Sequence, residues 1–203
     1  MAETQSIRRR DEDGRRDALV AAAGRVIARD GVGSATTRKI AAEAGLPLGM
    51  VHYWFGGKDD LLAAVVEKAV DDLDKAARDT PFFHGTGGLD LRDAFRAAWE
   101  FIVNDEPGRQ LSLYELTTVA LRTQGMEALA AKQYGSYREV ATESVRPWFE
   151  EHGAALPGGL DALARLIAVT IDGAALAWLA DPDGARPEEA FELLAYLLDH
   201  AAG

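Results

Sequence analysis

The chain contains no cysteine among its 203 residues, and only four histidines, at positions 52, 84, 152 and 200. The absence of cysteine excludes disulfide frameworks, cysteine-ligated metal centres and thiol catalysis. The histidines do not have the spacing of metal ligands. The sequence also lacks a glycine-rich phosphate loop and a nucleophile motif. We therefore expect no metal, no cofactor and no enzymatic activity.

Long apolar segments are missing as well. No apolar run approaches the about 20 residues that a transmembrane helix requires. The N-terminal segment MAETQSIRRRDEDGRR is charged and lacks the apolar stretch of a signal peptide. Since 48% hydrophobic and 27% charged residues are typical of soluble globular proteins, we expect a cytoplasmic protein without a membrane partner.

Positive charge is scarce overall, because the net charge is −11, but it is unevenly distributed. Residues 1–58 carry ten Lys/Arg and seven Asp/Glu, a net charge of +3, whereas residues 59–203 carry twelve and twenty-six, a net charge of −14. Such asymmetry is a hint of a nucleic-acid-binding segment. Ordinary solvated surface charge explains it equally well, so charge alone leaves both interpretations open.

Sustained strand-like alternation is absent, and every long periodic segment is typical of a helix. Glycine and proline separate these segments, as expected of turns. We therefore predict an all-α fold of about nine helices, with a loop at residues 80–88. The predicted helices cover residues 13–30, 37–44, 48–55, 58–79, 89–105, 109–123, 125–152, 160–180 and 187–201.

Three regions are predicted from this order. Residues 1–12 form a flexible basic arm, in which Arg8, Arg9 and Arg10 contact the DNA backbone or merely solubilise a tail. Residues 13–57 form a unit of three short helices. Residues 58–203 form a larger helical bundle, in which helix 58–79 is the linker.

The segment 36–62, TTRKIAAEAGLPLGMVHYWFGGKDDLL, has the pattern of a helix-turn-helix. Thr36 or Thr37 can cap the second helix, and Gly45 permits the sharp reversal. Val51 and Phe55 lie four residues apart and form the buried stripe of the short third helix. The remaining arc exposes aromatic and apolar side chains, which suits base edges in a DNA major groove. Helix-turn-helix geometry also occurs in proteins that never bind DNA, so the geometry alone does not decide.

Residues 15–62 resemble the DNA-binding module of the TetR family of bacterial transcriptional regulators. The matching positions are Thr36, Thr37, Ile40, Ala41, Ala44, Gly45, Gly49, His52, Tyr53, Trp54, Phe55, Lys58 and Leu61. Pro47 departs from the family pattern, where Ser or Thr usually caps the third helix. His52 and Trp54 stand where Tyr and His are usual.

The resemblance implies a ligand-responsive, sequence-specific DNA-binding regulator, most simply a repressor that a small molecule releases from its operator. It also implies that residues 13–57 are the helix-turn-helix DNA-binding domain and that residues 58–203 are the ligand-binding and dimerisation domain. The implied partner is double-stranded DNA with two half-sites. Leu48, Gly49, Met50 and Tyr53 are candidates for base-edge contacts. Candidates for phosphate contacts are Thr37, Arg38, His52, Trp54 and Lys58. The alternative is a helical small-molecule-binding or enzyme-like bundle with a vestigial helix-turn-helix, which a salt-dependent DNA shift assay separates from a regulator.

The last two helices predict a homodimer. Residues 166–180 contain a single charge, Asp172, and a helix that is apolar all round is buried all round. We expect two such helices from each of two chains to form an intermolecular four-helix bundle, although burial within one chain is the alternative. Within this region, LIAVTIDGAALAW is similar to betaine-regulator-like C-terminal domains. The candidate interface residues are Asp172, Trp178, Phe191, Leu194 and Leu198.

The middle helices supply candidates for an effector site. Aromatic residues at this spacing are more often core than ligand contacts. Glu115 must be paired, protonated, exposed or functional, because burying an unpaired carboxylate is costly. If it lines a pocket, it favours a ligand with a cationic or hydroxyl group. The candidate ligand-binding residues are Phe95, Trp99, Tyr114, Glu115, Thr118, Tyr137 and Trp148.

Overall fold

The structure is a computed structural model that describes residues 2–79, 90–104 and 107–202. Within these residues the chain forms nine α-helices and one 3₁₀ turn, Gly153–Ala155, without a β-strand, which confirms the predicted all-α fold. The helices are α1 (Ala2–Asp30), α2 (Thr37–Glu43), α3 (Leu48–Trp54), α4 (Lys58–Asp79), α5 (Leu91–Val103), α6 (Pro107–Arg122), α7 (Glu127–His152), α8 (Gly159–Ala180) and α9 (Pro187–Ala202).

The helix boundaries match the predicted ones within about two residues, except at the start of α1. We expected a flexible arm over residues 1–12, but α1 already begins at Ala2. The physical reason is composition, because residues 2–13 contain neither proline nor glycine and include several good helix formers. The predicted loop at 80–88, including His84, lies outside the described residues.

The first of two compact units, which we call the head, comprises the chain up to Ala69 together with Gly108–Ala130. Its core packs α1, α2, α3 and the first half of α4 around fully buried side chains such as Leu19, Ile40 and Val51. Leu116 and Ala120 of α6 belong to the same core. The head therefore extends beyond the predicted boundary at residue 57, because it includes a helix from much later in the sequence.

The second unit comprises Val70–Pro107 and Ala131–Gly203. Its core joins α5, the later part of α7, α8 and α9. The rings of Phe95 and Phe191 stack with their centroids 5.6 Å apart. Trp99 meets Trp178 and Phe191 at 5.8 Å each. Aromatic packing of this kind adds specific geometry to apolar burial.

Helix α8 is long and apolar enough, by length and composition alone, to cross a membrane. Core helices of soluble proteins pass the same test, and α8 contains Asp161, Arg165 and Asp172, so it holds no uninterrupted apolar run of about 20 residues. Leu163, Ala164 and Ile167 of α8 are buried in the second unit, whereas Leu166, Val169 and Leu176 are exposed.

Candidate functional site

Local chemistry fixes both ends of α2. The hydroxyl of Thr36 accepts a hydrogen bond from the Lys39 backbone N–H at 3.2 Å, so Thr36 is the N-cap. Gly45 adopts φ +66°, a left-handed conformation that side chains disfavour. The Leu46 N–H then donates to the Ala41 carbonyl at 2.9 Å. This closed turn sets the direction in which α3 leaves the head.

Helix α3 presents one face to the core and one to the outside. Val51 and Phe55 are buried, as their spacing predicted. Pro47 is the N-cap residue of α3 and offers no side-chain hydrogen bond, so the missing Ser or Thr is not replaced. On the opposite side, Leu48 is 36% exposed and Tyr53 is 67% exposed, and Gly49 and His52 are exposed as well. We call Leu48, Gly49, His52 and Tyr53 the recognition face.

Met50 and Trp54 differ from these four residues, because both pack partly against the core of the head. The Trp54 ring meets the Tyr53 ring edge to face, with the centroids 5.0 Å apart. The Nε1 atom of Trp54 is buried and has no hydrogen-bond partner among the described residues. Trp54 therefore packs between Tyr53 and the core of the head. Its indole N–H does not lie at the surface, where we expected it to contact a phosphate.

The other candidate residues for phosphate contacts, Thr37, Arg38 and Lys58, differ in how exposed they are. Arg38 is exposed, and Thr37 is half-buried in the first turn of α2. Lys58 is half-buried, and its Nζ donates a hydrogen bond to the Val32 carbonyl oxygen at 2.8 Å. An ammonium group has three N–H donors, so this bond orients Lys58 and leaves donors for a phosphate.

Ion pairs tie α1 to α2 on the outside of the head. Glu43 accepts from Arg25 at 3.0 Å and from Arg29 at 3.2 Å, and Lys39 reaches Asp30 at 3.4 Å. The hydrogen bonds from Arg25 and Arg29 lower the pKa of the Glu43 carboxyl. All of these groups are solvated, so they help to fix the register of α2 against α1 and contribute little stability.

Glu115 is paired, which is one of the alternatives that the sequence left open. Its Oε2 accepts a hydrogen bond from the Val32 backbone N–H at 2.6 Å, in the turn between α1 and α2. The burial of this carboxylate is therefore explained within the first unit, and it is not assigned to an effector site. Tyr114, which is half-buried, and Thr118, which is exposed, lie in the same unit.

The other predicted effector residues lie in the second unit, and three of them have structural roles. Phe95 and Trp99 are buried in the aromatic core described above. The Trp99 Nε1 donates to the Glu188 carboxylate at 3.0 Å, so the indole N–H has a hydrogen-bond partner. Trp148 is buried and stacks on His152 at 5.5 Å. The seven predicted residues are thus divided between the two units.

Tyr137 belongs to a polar cluster in the second unit. Its hydroxyl accepts from Gln133 at 2.8 Å, and its ring lies 5.5 Å from that of Tyr134. The Tyr134 hydroxyl donates to Asp172 of α8 at 2.8 Å. Burial raises the pKa of each tyrosine to about 12, and at Tyr134 the hydrogen bond to Asp172 adds to this effect. Asp172 thus forms the helix–helix hydrogen bond that its position suggested, within one protomer.

The predicted dimer residues mostly face inward. Phe191 and Leu198 are buried in the core of the second unit, and Trp178 and Leu194 pack against the same core. Because α8 and α9 are apolar on more than one side, their sequences did not show which stripe faces outward. The side chains left exposed form what we call the α8–α9 face. It consists of Leu166, Val169, Leu176, Leu193, Tyr196 and Leu197.

Several contributors were missed at the sequence level. The Asp60 carboxylate accepts from the Gly56 N–H at 2.9 Å, which fixes the turn between α3 and α4. Gln133 and Ser136 are buried polar residues on the apolar side of α7. The contact of Gln133 could have been predicted from the sequence, because Gln133 stands four residues before Tyr137 on the same helical face. Val32 carries no chemical signal in its side chain, because its role rests on its backbone.

Two family models match the chain. One describes bacterial regulatory proteins of the tetR family and matches residues 19–65, and the other describes the C-terminal domain of BetI-type transcriptional repressors and matches residues 91–203. The nicotine-responsive transcriptional repressor HdnoR of Paenarthrobacter nicotinovorans is 32% identical over 182 residues, which is 86% of this chain and 89% of the relative.

Further similarities agree with these matches. The transcriptional regulator BetI of Stenotrophomonas maltophilia is 36% identical over 83 residues, which is 41% of each chain. Among solved structures, the multidrug binding protein EbrR complexed with ethidium is 25% identical, with a TM-score of 0.70 and coverage of 91% of this chain and 98% of that one. The matches to HdnoR and EbrR span 86% and 91% of this chain.

Proposed function

Because this chain belongs to the TetR family of bacterial regulatory proteins, with a C-terminal domain of the BetI-type repressors, we propose that it represses transcription from an operator and is released by a small molecule. The observation that carries this proposal is the recognition face. A seven-residue helix that exposes Leu48, His52 and Tyr53 beside a buried Val51 has the geometry of a major-groove reader. We expect the protein to act in the cytoplasm.

The proposed contacts divide by chemistry. The Tyr53 hydroxyl and the Leu48 side chain contact base edges, and Gly49 lets the helix backbone approach the DNA closely. Arg38, Thr37 and Lys58 contact phosphates, which fix the register of the head on the duplex. The net charge of +3 on residues 1–58 favours this approach, while the acidic remainder of the chain opposes nonspecific binding.

Selection of fragments from the source genome tests the DNA proposal. We expect enriched fragments to contain two inverted half-sites, spaced by one helical turn or a multiple of it. Tyr53→Ala should abolish enrichment without changing the helical content, because Tyr53 is 67% exposed. Thr118→Ala, an exposed substitution on α6, is the matched control. If the wild type enriches no fragment at any salt concentration, the chain is not an operator-binding protein.

The α8–α9 face supports the proposal of a homodimer. By helical spacing, Leu166, Val169 and Leu176 share one side of α8, and Leu193, Tyr196 and Leu197 share one side of α9. Exposed apolar side chains grouped in this way favour an interface. A second copy pairs them with their own counterparts around a two-fold axis. The same axis matches an operator of two half-sites, so one symmetry accounts for both partners.

For the effector we propose an organic cation that carries an aromatic ring. The polar cluster of Tyr134, Tyr137 and Asp172 offers a carboxylate beside two aromatic rings, which are the groups that recognise such cations. Two relatives support the class, because HdnoR is named as nicotine-responsive and EbrR was solved with ethidium. In this proposal, Asp172 provides the carboxylate for a cationic ligand that the sequence suggested for Glu115.

Ethidium is a direct probe of the effector proposal. Its fluorescence, titrated with protein in the absence of DNA, should give saturable binding that Asp172→Asn weakens by about tenfold, since one lost charge pair is worth about 1–2 kcal/mol when partly desolvated. Asp161→Asn, an exposed carboxylate on the same helix, is the control. Equal binding by wild type and Asp172→Asn would place the effector elsewhere.

Helix α4 is the proposed route of control. Residues 58–69 belong to the first unit and residues 70–79 to the second, in one continuous helix. An effector lowers operator affinity only if it binds one arrangement of the dimer better than the other. Operator DNA must then lower effector affinity by the same factor, which titrations in both directions measure.

A further inference from the structure

The turn between α1 and α2 is held from both sides at the backbone of a single residue, Val32. Val32 donates its N–H to the Glu115 carboxylate at 2.6 Å and accepts from the Lys58 ammonium at 2.8 Å through its carbonyl oxygen. These bonds join a turn, the start of α4 and the middle of α6. We call this arrangement the Val32 clamp.

The clamp lies in a tightly packed place. Val32 is 6% exposed, so water competes poorly for its polar groups. Gly31 has φ +79°, and a Cβ added there would lie 3.3 Å from Glu115 Oε1. A Cβ added at Gly108, near the start of α6, would collide with the Ala28 carbonyl oxygen. Helix α6 therefore approaches the end of α1 closely at two positions. This close packing keeps the Glu115 carboxylate beside the Val32 backbone.

The two bonds hold the backbone of one residue on both sides of its Cα. Each bond involves a charged partner, which makes it stronger than a neutral hydrogen bond. Because Glu115 holds the Val32 N–H, it helps to fix the position of the Val32 carbonyl oxygen that accepts from the Lys58 ammonium.

We propose that Glu115 is a positioning residue of the DNA interface. It acts through the Val32 backbone, which holds the Lys58 ammonium where Lys58 binds a phosphate. The inference rests on the proposed function, because the phosphate contact of Lys58 belongs to it. It reverses the simple electrostatic expectation. Removing a negative charge from a DNA-binding head ordinarily strengthens DNA binding, whereas removing Glu115 should weaken it.

The test combines amide exchange and DNA binding on the full-length chain. Without DNA, Glu115→Ala should accelerate hydrogen exchange of the Val32 amide by at least tenfold, and Glu115→Gln, which keeps an acceptor oxygen, by less. With selected operator DNA, the slope of log affinity against log salt should fall by about 0.9 for Lys58→Ala, the value of one phosphate contact. Glu115→Ala should give the same fall, and the double variant no further fall.

Glu67→Gln removes an exposed charge from α4 of the same unit and should leave slope and exchange as in the wild type. Unchanged exchange at Val32 in both Glu115 variants would refute the clamp whether or not DNA binds. Faster exchange with an unchanged salt slope would refute the positioning role while the proposed function stands. If the wild type binds no operator, the proposed function fails, and the exchange result decides the clamp by itself.

Discussion

Leu197 offers a sharp test of the α8–α9 face. It is 54% exposed in the protomer, and its neighbour in sequence, Leu198, is only 7% exposed. Two adjacent leucines on one helix therefore have opposite surroundings. Substituting each by alanine separates the free energy of dimerisation from the free energy of folding within one chain.

The magnitude follows from burial. Complete burial of an exposed leucine is worth about 1.5–3 kcal/mol. About half of the Leu197 side chain remains to be buried, and a two-fold interface contains the residue twice. Two half-buried leucines are worth about 1.5–3 kcal/mol, and alanine keeps its Cβ, so Leu197→Ala should cost the dimer about 1–2 kcal/mol. This raises its dissociation constant about 5- to 30-fold. Leu197→Glu should have a larger effect, because it places an unpaired charge in the interface.

Leu198→Ala should behave differently. It leaves a cavity in the core of the second unit and should lower the free energy of unfolding by about 2–5 kcal/mol. Sedimentation over a range of concentrations measures the dimer, and urea unfolding of the same samples measures the fold. If Leu197→Glu sediments as the wild type does, the α8–α9 face is not the interface.

Three further predictions concern stability. Thr36→Ala removes the cap of α2 and should lower the free energy of unfolding by about 1 kcal/mol, measured by urea unfolding. Gly108→Ala should strongly destabilise the chain through the collision with Ala28, whereas Gly24→Ala, where a Cβ meets nothing within 4 Å, should stabilise it by up to about 1 kcal/mol; similar melting temperatures would contradict this. The pKa of Tyr137 is raised to about 12 in the folded chain, so its stabilisation is complete below pH 10 and lost as the pH rises toward 12. Tyr137→Phe should therefore lose about 2–3 kcal/mol less than the wild type between pH 9 and pH 12, and equal losses in urea titrations would refute the assignment.

The features that local chemistry determines were predictable from the sequence. Helix ends follow from residues such as Gly45 and Pro187, which act on their own neighbourhood, so most boundaries were placed within two residues. The buried stripe of α3 followed from the spacing of Val51 and Phe55. The exposure of the recognition face followed by elimination, because those residues fix which side of a short helix points inward. The same elimination placed Met50 and Trp54 outward, and both pack partly against the core.

The features that depend on distant partners were not predictable in this way. Glu115 and Val32 are 83 residues apart, and no local pattern connects a carboxylate to a backbone N–H at that separation. The stripe of α9 was ambiguous, because Leu193, Leu194, Leu197 and Leu198 are equally apolar and only packing decides between them. Composition also failed at the start of α1, where charged residues that suggested a flexible arm are compatible with a helix.

The most direct test of the central claim is the ratio of affinities for operator and scrambled DNA at one fixed salt concentration, measured for the wild type and for Tyr53→Ala. Specific sites typically bind 10³- to 10⁷-fold more tightly than nonspecific DNA. We expect the wild type to show a ratio in this range. For Tyr53→Ala we expect a ratio reduced at least tenfold, with nearly unchanged affinity for scrambled DNA, because the variant removes only the proposed base contact and leaves the proposed phosphate contacts in place. A wild-type ratio near one, or an unchanged ratio in Tyr53→Ala, would contradict the account.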